Sequence, residues 1–338
     1  MSGTTIWLNR NYATTVHLIH QLRRNPQRRT VRILGSHKDP ASPMLSGCDA
    51  RFVEPALTGP EYAEHALRFC DEHDVDVFLP VYEQLAIARR AADFRRAGVA
   101  LIAPPADAVE LLSDKAATYR AVGHDSELTP PWREIRTADE FETAIAELAE
   151  FSGSLVIKPT RGVGATGVRM LSDAPPNLDE LTGPVTHSAT IQDFIGALKT
   201  EEAAGRSVAP LMVLPYLSEP EISVDVLARA GRTVAAVPRA KRGRARSLHA
   251  PAEVLDAADQ LVAIFALEGL VNVQFRFLDG RPVLLEINTR PSGGLYQTGL
   301  AQVNLPWAAV QQALGEPTEP LRPVLGGHYV TVSSMVQV

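Results

Sequence analysis

The sequence predicts an α/β protein in which an open parallel sheet is followed by a second part of mixed α+β type. In the first hundred residues, short apolar runs typical of strands alternate with stretches of helical periodicity. Such alternation is typical of a parallel sheet that is covered by helices on both faces. Beyond about residue 150, apolar runs are joined by a glycine-rich loop and an Asp-Gly turn, which indicates a change of architecture.

Apolar runs and helical periodicity assign the elements of the first part. The turn after the first strand, Asn9-Arg10-Asn11, lacks the G-x-G-x-x-G pattern of dinucleotide-binding folds, which disfavours a nicotinamide enzyme. The predicted strands are Ile6–Leu8, Val31–Leu34, Phe52–Val53, Val75–Leu79 and Val99–Ile102, and the predicted helices are Ala13–Arg24, Pro60–His73 and Glu83–Ala97.

The second part begins after Pro104-Pro105, and the chain is broken again at Pro130-Pro131. No element is assigned to Gly183–Arg206. The tail Gly326–Val338 has the pattern of a strand, and it would either extend the C-terminal sheet or pair across a homodimer. The predicted helices are 106–122, Ala138–Glu150 and Ala252–Leu267, and the predicted strands are Ser154–Lys158, Val168–Leu171, Ala209–Leu214, Ile222–Ala228, Thr233–Val237, Val271–Phe277 and Val283–Asn288.

Composition narrows the class of protein. The chain has 338 residues, too many for one simple core, with 33 Lys and Arg against 39 Asp and Glu. The net charge of −6 argues against a nucleic-acid binder. Cys48 and Cys70 lie far apart without metal-ligand spacing, and no apolar stretch is long enough to span a bilayer. We therefore expect a cytoplasmic enzyme or binding protein.

The first chemical motif is the segment LVIKPTRGVGATGV, in which Lys158 ends an apolar run and Gly162, Gly164 and Gly167 follow. Glycines at this density let backbone N–H groups close over an anion, and the lysine adds a charge for phosphate oxygens. An ordinary hairpin loop would explain the glycines equally well. The lysine precedes the glycines, which excludes a Walker A loop.

The second motif is a pair of strands that carries oxygen ligands. Glu286 and Asn288 lie two residues apart and therefore share one face of their strand, and Gln274 belongs to the preceding strand. A carboxylate and two amide oxygens suit Mg²⁺, and Arg290 follows where it would meet a transferring phosphoryl group. A solvent-facing strand with scattered polar residues is the alternative, and the apolar neighbours of Glu286 disfavour it.

This metal site predicts a strand register. If Gln274 lies directly opposite Glu286 in an antiparallel pair, Leu278 pairs with Pro282. The connection would then be the three residues from Asp279 to Arg281, with Gly280 in a left-handed conformation.

Two further segments are weaker candidates. In VLPYLSEPEISVDVL, a proline-containing kink would hold a flat base, and Glu221 would accept hydrogen bonds from ribose hydroxyls. In the basic run from Arg239 to Arg246, we expect Arg239, at a strand end, to contact an anionic substrate or phosphate. Arg244 and Arg246 are expected in a solvated loop.

Together these motifs resemble the ATP-grasp superfamily, most closely its carbamoyl-phosphate-synthetase-like and biotin-carboxylase-like members. The resemblance covers about residues 105–310, and the first part is similar to the pre-ATP-grasp domain. It implies a Rossmann-like domain at 1–104, a linker helix and lid subdomain at 105–212, and a catalytic subdomain at 213–338.

The resemblance also implies roles for single residues. At the position where many members carry a hinge Glu this chain has Leu214, so adenine would be read by backbone groups, the carbonyl of Pro215 and the N–H of Leu217. Lys115, in Ser113-Asp114-Lys115, and Lys158 resemble the lysines that contact ATP phosphates, and Arg161–Gly167 resembles the loop that covers those phosphates. Glu221 resembles the carboxylate that binds ribose. Gln274, Glu286 and Asn288 resemble the metal ligands, and Glu286-Ile-Asn-Thr-Arg290 resembles the E-x-N-x-R motif.

The activity that the resemblance implies is an ATP- and Mg²⁺-dependent ligase. It would join a small-molecule carboxylate to an amine or another nucleophile, with Arg290, Lys158 and Arg239 as catalytic residues. A non-catalytic nucleotide sensor is the alternative, disfavoured by the intact metal and lysine set. We expect the substrate to be selected around Asn9–Asn11, Tyr82–Gln84 and Ser292–Gln297, none of which identifies it.

Overall fold

The structure, a computed structural model, describes residues 3–123, 126–162, 164, 166–175, 178 and 188–332. The chain forms two compact units. Unit 1 comprises Met1–Leu112, Pro220–Phe275 and Ile287–Val338, and unit 2 comprises Ser113–Glu219 and Arg276–Glu286. The division at 104/105 and 212/213 stays an interpretation of the sequence.

The N-terminal sheet of unit 1 has the predicted parallel architecture. Its strand order is β3-β2-β1-β4-β5, and every neighbouring pair is parallel. The order reverses between β1 and β4, and ligands of open α/β sheets bind where the order reverses. The strands are β1 (Thr4–Asn9), β2 (Val31–His37), β3 (Ala50–Val53), β4 (Val77–Leu79) and β5 (Ala100–Leu101).

Both faces of this sheet are buried, as β1 shows. Ile6 and Leu8 pack in one core with residues of the first helix, and Trp7 points to the other side, where it stacks on Phe69 and Phe78. The helices are α1 (Thr15–Arg23), α2 (Gly59–Glu72), α3 (Gln84–Arg89) and α4 (Ala91–Arg96), and a 3-10 helix spans Pro43–Gly47.

Two predicted helices are each divided in the structure. The helix predicted at Glu83–Ala97 is broken at Arg90, which pairs with Asp93 in the first turn of α4. The helix predicted at 106–122 is α5 (Ala106–Leu112) followed by α6 (Lys115–Val122). Asp114 caps α6 by accepting hydrogen bonds from the N–H groups of Ala116 and Ala117 at 3.0 and 3.1 Å. The sequence predicts continuous helices because neither break contains Gly or Pro and the apolar periodicity continues through both.

Unit 2 contains a five-stranded sheet of order β6-β10-β7-β8-β9, in which only β8 and β9 pair in parallel. Its core includes Phe141, Ile157, Leu198 and Val213. The segment without a sequence assignment contributes β9 and α8, and its residues 183–187 lie outside the described residues. The elements are β6 (Arg133–Ile135), α7 (Ala138–Leu148), β7 (Leu155–Pro159), β8 (Arg169–Ser172), β9 (Ser188–Thr190), α8 (Ile191–Ala203) and β10 (Leu211–Pro215).

The third sheet has the order β15-β14-β11-β12-β13-β16. The last strand pairs antiparallel with β13, so the tail extends the C-terminal sheet, which was one of the two alternatives. Residues 333–338 of the predicted tail lie outside the described residues. The elements are β11 (Ser218–Arg229), β12 (Arg232–Arg242), β13 (Ala245–Ser247), α9 (Ala252–Ile264), β14 (Gly269–Leu278), β15 (Arg281–Asn288), a 3-10 helix (Leu295–Ala301), α10 (Leu305–Ala313) and β16 (His328–Val330).

The predicted connection between β14 and β15 is wrong. It consists of two residues, Asp279 and Gly280, and both have positive φ angles, 51° and 79°. Two left-handed residues form the type I′ turn, whose twist matches that of the flanking strands. This turn does not give the pairing of Leu278 with Pro282. A two-residue connection argues against Gln274 as a ligand on register alone, because it would place Gln274 and Glu286 on opposite faces of the strand pair. The role of Gln274 therefore stays only as what the resemblance implies.

No helix in the described part of the chain combines the length and the apolar character needed to cross a membrane.

Close packing inside the N-terminal sheet generates a test of the fold. A Cβ added at Gly35 would lie 2.3 Å from the sulfur of Cys48 and 3.0 Å from a methyl group of Leu45. Gly35→Ala should lower the free energy of unfolding by about 1–3 kcal/mol, measured by urea denaturation, because a packed core has no room for a methyl group. Cys48→Ala in the same chain should recover part of the loss.

A suitable control is Gly153→Ala, because an added Cβ there meets no atom within 4 Å. Equal losses from the Gly35 and Gly153 variants would show that the packing against Cys48 is unimportant.

Candidate active site

In unit 2, Lys158 is a buried lysine next to a second lysine and a carboxylate. It lies in β7, opposite Met212 of β10, and only 4% of its surface is exposed. Its ammonium donates a hydrogen bond to the carbonyl of Leu285 at 3.4 Å and lies 5.5 Å from the ring centre of Tyr119. Burial, with the nearby charge of Lys115, lowers the pKa of Lys158 to about 8, although Glu286 acts in the opposite direction.

Lys115 joins this group from the first turn of α6. Its ammonium lies 3.6 Å from a carboxylate oxygen of Glu286 and donates a hydrogen bond to the carbonyl of Gly162 at 3.0 Å. The backbone N–H of Lys115 is bound to the carbonyl of Thr160 at 2.8 Å, which fixes the start of the helix. Two cations therefore lie near one carboxylate, an arrangement with an excess of positive charge that favours an anionic ligand.

The residue before Lys115 couples α6 to the glycine-rich loop. Asp114 caps the helix with one carboxylate oxygen, and the other accepts a hydrogen bond from Nε of Arg161 at 3.2 Å. Arg161 also donates to the hydroxyl of Ser113 at 3.2 Å. The lysine on the helix and the start of the loop are therefore held together by one carboxylate.

All three loop glycines adopt conformations that other residues rarely take, since the φ angles are 133° at Gly162, 56° at Gly164 and 77° at Gly167. At Gly167 a Cβ would also lie 2.8 Å from Cγ of Pro159. Val163 and Ala165, within the predicted Arg161–Gly167 loop, lie outside the described residues.

Tyr119 completes the unit 2 group, and sequence reasoning missed it. It is fully buried, and its hydroxyl donates to the carbonyls of Leu284 at 2.5 Å and Leu285 at 3.2 Å. Burial and the charge of Glu286 raise the pKa of Tyr119, which keeps the phenol a neutral donor. Its position one helical turn after Lys115 is the signal that was available in the sequence.

The predicted base-binding segment lies at the end of β10, also in unit 2. Pro215 is the last residue of the strand, opposite Leu155. Leu217 is 4% exposed, and its carbonyl accepts a hydrogen bond from Arg276 at 3.3 Å. The backbone groups expected to read adenine are therefore placed by a strand end and by an arginine that sequence reasoning did not single out.

In unit 1, Arg290 links the end of β15 to the N-terminal sheet. Its guanidinium donates to Oδ1 of Asn288 at 3.3 Å and to the hydroxyl of Tyr12 at 3.0 Å. Nearby, Gln84 and Thr289 exchange two hydrogen bonds of 2.7 Å. Contacts therefore join Gln84, in a segment expected to select the substrate, and Tyr12, which follows the predicted segment Asn9–Asn11, to the chain around Arg290.

Arg239 is buried and already paired. Its Nε donates to Asp225 at 2.6 Å, and Nη2 donates to the hydroxyl of Ser292 at 2.9 Å. Nη1 lies 2.2 Å from the place where a Cβ of Gly294 would stand, so any larger residue there would displace the guanidinium. The predicted contact of Arg239 with an anion stays a proposal.

Asp225 is a fully buried carboxylate that the sequence analysis overlooked. Its Oδ1 accepts hydrogen bonds from Ser292 and from Asn272, both at 2.8 Å, and Gln274 in turn donates to Oδ1 of Asn272 at 2.9 Å. The signal in the sequence is one acidic residue in the middle of the apolar strand SVDVL.

Three other positions singled out in the sequence lie on or beside the third sheet, which contains β11, β12 and β13. Glu221 is opposite Lys241 across β11 and β12. Arg244 is exposed, and Arg246 donates to the carbonyls of Gly243 and Ala245 at the turn before β13. Arg244 therefore lies in the turn as expected, whereas the loop expected for Arg246 is wrong, because Arg246 lies in β13 opposite Lys241 of β12.

The donor types of the predicted metal site fit Mg²⁺, because Glu286 offers a carboxylate and Asn288 and Gln274 offer amide oxygens. Within the residues that the structure describes, no three His, Cys, Asp or Glu residues group as a metal site. The predicted site combines one carboxylate with two amide oxygens.

The loop geometry generates one prediction. Gly167→Ala should lower the free energy of unfolding more than Gly164→Ala, because both have positive φ but only Gly167 meets Pro159. Strain alone should cost about 1–2 kcal/mol at Gly164, and urea denaturation measures the difference. Equal losses of unfolding free energy in the two variants would show that Pro159 moves aside without a measurable cost.

The buried Lys158 generates a second prediction. The folded-state pKa of Lys158, about 8, lies below the ordinary value of 10.5, so below pH 8 its charge destabilises the folded state. At pH 7, Lys158→Met should leave the melting temperature of the nucleotide-free protein unchanged or raise it. The increase in melting temperature on adding MgADP should be lost.

Lys199→Met is the control, because Lys199 is exposed and pairs with Glu142 on the surface of unit 2. It should alter neither measurement. A Lys158→Met protein that MgADP stabilises as strongly as wild type would show that Lys158 has a structural role.

Comparison with known proteins supports the sequence resemblance. Residues 207–335 match the family model described as ATP-grasp in the biosynthetic pathway with Ter operon. No curated protein matches the chain.

Solved structures match over nearly the whole chain. The biotin carboxylase domain of Hydrogenobacter thermophilus 2-oxoglutarate carboxylase, in complex with MgADP and bicarbonate, has a TM-score of 0.64 at 16% identity, covering 97% of this chain and 74% of that one. L-amino acid ligase from Bacillus licheniformis has a TM-score of 0.64 at 14% identity, covering 93% and 75%. N5-carboxyaminoimidazole synthetase from Staphylococcus aureus, complexed with ADP, has a TM-score of 0.67 at 13% identity, covering 96% and 81%. The chain therefore has the fold of the ATP-grasp ligases, which confirms the fold that the resemblance implies.

Proposed function

We propose that this protein is an ADP-forming ligase that activates a small-molecule carboxylate as an acyl phosphate and transfers the acyl group to an amine or another nucleophile. The observation that carries the proposal is the pair of lysines, Lys115 and Lys158, beside the single carboxylate of Glu286. Burial lowers the pKa of Lys158, which supports the proposal because a buried ammonium is stabilised by a bound anion. A polyphosphate would supply the missing negative charge.

The chain's own groups would bind the nucleotide as follows. Lys115 and Lys158 would neutralise the outer phosphates, and Arg161, Gly162, Gly164 and Gly167 would cover them and exclude water. The carbonyl of Pro215 and the N–H of Leu217 would read the adenine edge, and Glu221 would accept hydrogen bonds from the ribose. Water must be kept out because an acyl phosphate hydrolyses readily.

Glu286, Asn288 and Gln274 would hold Mg²⁺ through oxygen atoms. The ion, when bound with ATP, neutralises phosphate charge and orients the γ-phosphoryl group. Glu286 and Asn288 lie two residues apart on β15, so one strand would supply two of the three ligands.

Arg290 would meet the γ-phosphoryl group as it moves to the substrate carboxylate. Asn288 and Tyr12 fix its guanidinium, so little reorganisation is needed during the reaction. Arg239 uses Nε and Nη2 within the fold, and its guanidinium would contact an anionic substrate through Nη1.

ATP turnover by the wild-type protein with pools of carboxylic acids and amines tests the reaction. ATP should be converted to ADP and inorganic phosphate in equal amounts, because the proposed residue roles place the attack of the substrate carboxylate at the γ-phosphorus. With the right acid present, hydroxylamine should trap a hydroxamate. Stoichiometric AMP would contradict the mechanism, and binding of ATP without turnover with any pool would favour a nucleotide sensor.

Glu286→Gln should abolish hydroxamate formation, because it removes the carboxylate that faces both lysines. Glu127→Gln is a matched control on the same unit, since Glu127 is an exposed carboxylate that pairs with Arg281 of β15. It should form hydroxamate at the wild-type rate. Equal activity of the two variants would remove Glu286 from the mechanism.

A further inference from the structure

A chain of hydrogen bonds in unit 1 runs from a buried carboxylate to one of the proposed metal ligands. Asp225 is 0% exposed and accepts from Asn272, and Asn272 accepts from Gln274. The three residues lie on the neighbouring strands β11 and β14. The function proposed above explains neither Asp225 nor Asn272.

The carboxylate determines which way each amide points. Paired with the Arg239 guanidinium, Asp225 offers acceptor oxygens only, so Asn272 must turn its NH₂ group toward it. The Oδ1 atom of Asn272 then faces Gln274, and Gln274 must in turn use its own NH₂ group as the donor. The carbonyl oxygen of Gln274 is left directed away from the chain of hydrogen bonds.

An amide serves as a ligand of a hard cation only through its oxygen. Reversal of either amide would present the NH₂ group of Gln274, which cannot bind a metal ion. Because both amides are fixed by one charge, their orientation is decided before any ligand arrives.

We propose that Asp225 is a positioning residue that, through Asn272, makes Gln274 present its carbonyl oxygen to the metal ion. The proposal rests on the function proposed above, because it takes Gln274 as a metal ligand. This positioning role explains why a charged residue, Asp225, stands at a buried position of β11 where an apolar residue would pack well. Groups that orient metal ligands typically change metal affinity by about 10- to 100-fold when they are altered.

The test uses Mn²⁺ as the probe, titrated into the ADP complex of the full chain and followed by the electron paramagnetic resonance of free Mn²⁺. Asp225→Asn should weaken Mn²⁺ binding by about 10- to 100-fold, because an asparagine donates as well as accepts and releases both amides. ADP binding in the presence of EDTA should stay at the wild-type level.

Glu54→Gln is a matched control, because Glu54 is also a buried carboxylate held by an arginine, Arg10, and a serine hydroxyl, Ser36. It should bind Mn²⁺ as tightly as wild type, although it also loses a buried ion pair. If Asp225→Asn does not fold, Asn272→Ala carries the test, because it removes the link and keeps the pair of Asp225 with Arg239.

A second substitution separates orientation from a merely structural role. A glutamate at position 274 has two oxygen atoms and cannot point the wrong way, so Gln274→Glu together with Asp225→Asn should recover Mn²⁺ affinity. In that double variant Asn272 is free to reverse and to donate to the new carboxylate. Gln274→Glu alone should bind less well than the double variant, since Asp225 keeps Oδ1 of Asn272 turned toward it.

Two results would overturn the inference: wild-type Mn²⁺ affinity in Asp225→Asn, or a loss that Gln274→Glu does not recover. A wild-type ADP complex that binds no Mn²⁺ would instead overturn the proposed metal site, and with it the function on which the inference depends.

Discussion

The charge of Lys158 is the constraint on which the rest of the unit 2 group depends. An ammonium removed from water destabilises the fold unless dipoles or anions replace the lost hydration. Here the carbonyl of Leu285 and the ring of Tyr119 replace a part of it, and the pKa of about 8 shows that the replacement is incomplete. Any anion that binds beside the ammonium would reduce this cost.

Several features of unit 2 follow from keeping a second lysine near the first. Lys115 begins a helix, so its position is set by the cap, Asp114, and by its backbone bond to Thr160. Asp114 also binds Arg161, the first residue of the glycine-rich loop. One capping carboxylate therefore contacts both the start of α6 and the first residue of the loop.

Unit 1 contains the opposite case, a buried charge that is fully compensated. Asp225 is met by the guanidinium of Arg239, a hydroxyl and an amide, so its charge is compensated by groups of the protein itself. A buried pair of this kind contributes little net stability compared with apolar residues, and its value lies in the orientation that it imposes. Buried charge therefore differs between the two units, because the ammonium of Lys158 lacks a close anionic partner among the residues that the structure describes, whereas Asp225 is paired with a guanidinium.

The sequence by itself determined the parallel N-terminal sheet, most of the strands and the ATP-grasp resemblance. Periodicity and motif spacing are local properties, and Lys158, its glycines and the segment from Glu286 to Arg290 can be read from them. Only the tertiary structure revealed the Asp279-Gly280 turn as a two-residue connection, because both lengths fit the same apolar runs. It also revealed Tyr119, Asp225 and Asn272. Their roles depend on partners far away in the chain: the hydroxyl of Tyr119 meets a strand some 165 residues later, and Asp225 meets an asparagine 47 residues later. A single polar residue in an apolar strand signals that a partner exists, but the partner is decided by which strands become neighbours in the sheet.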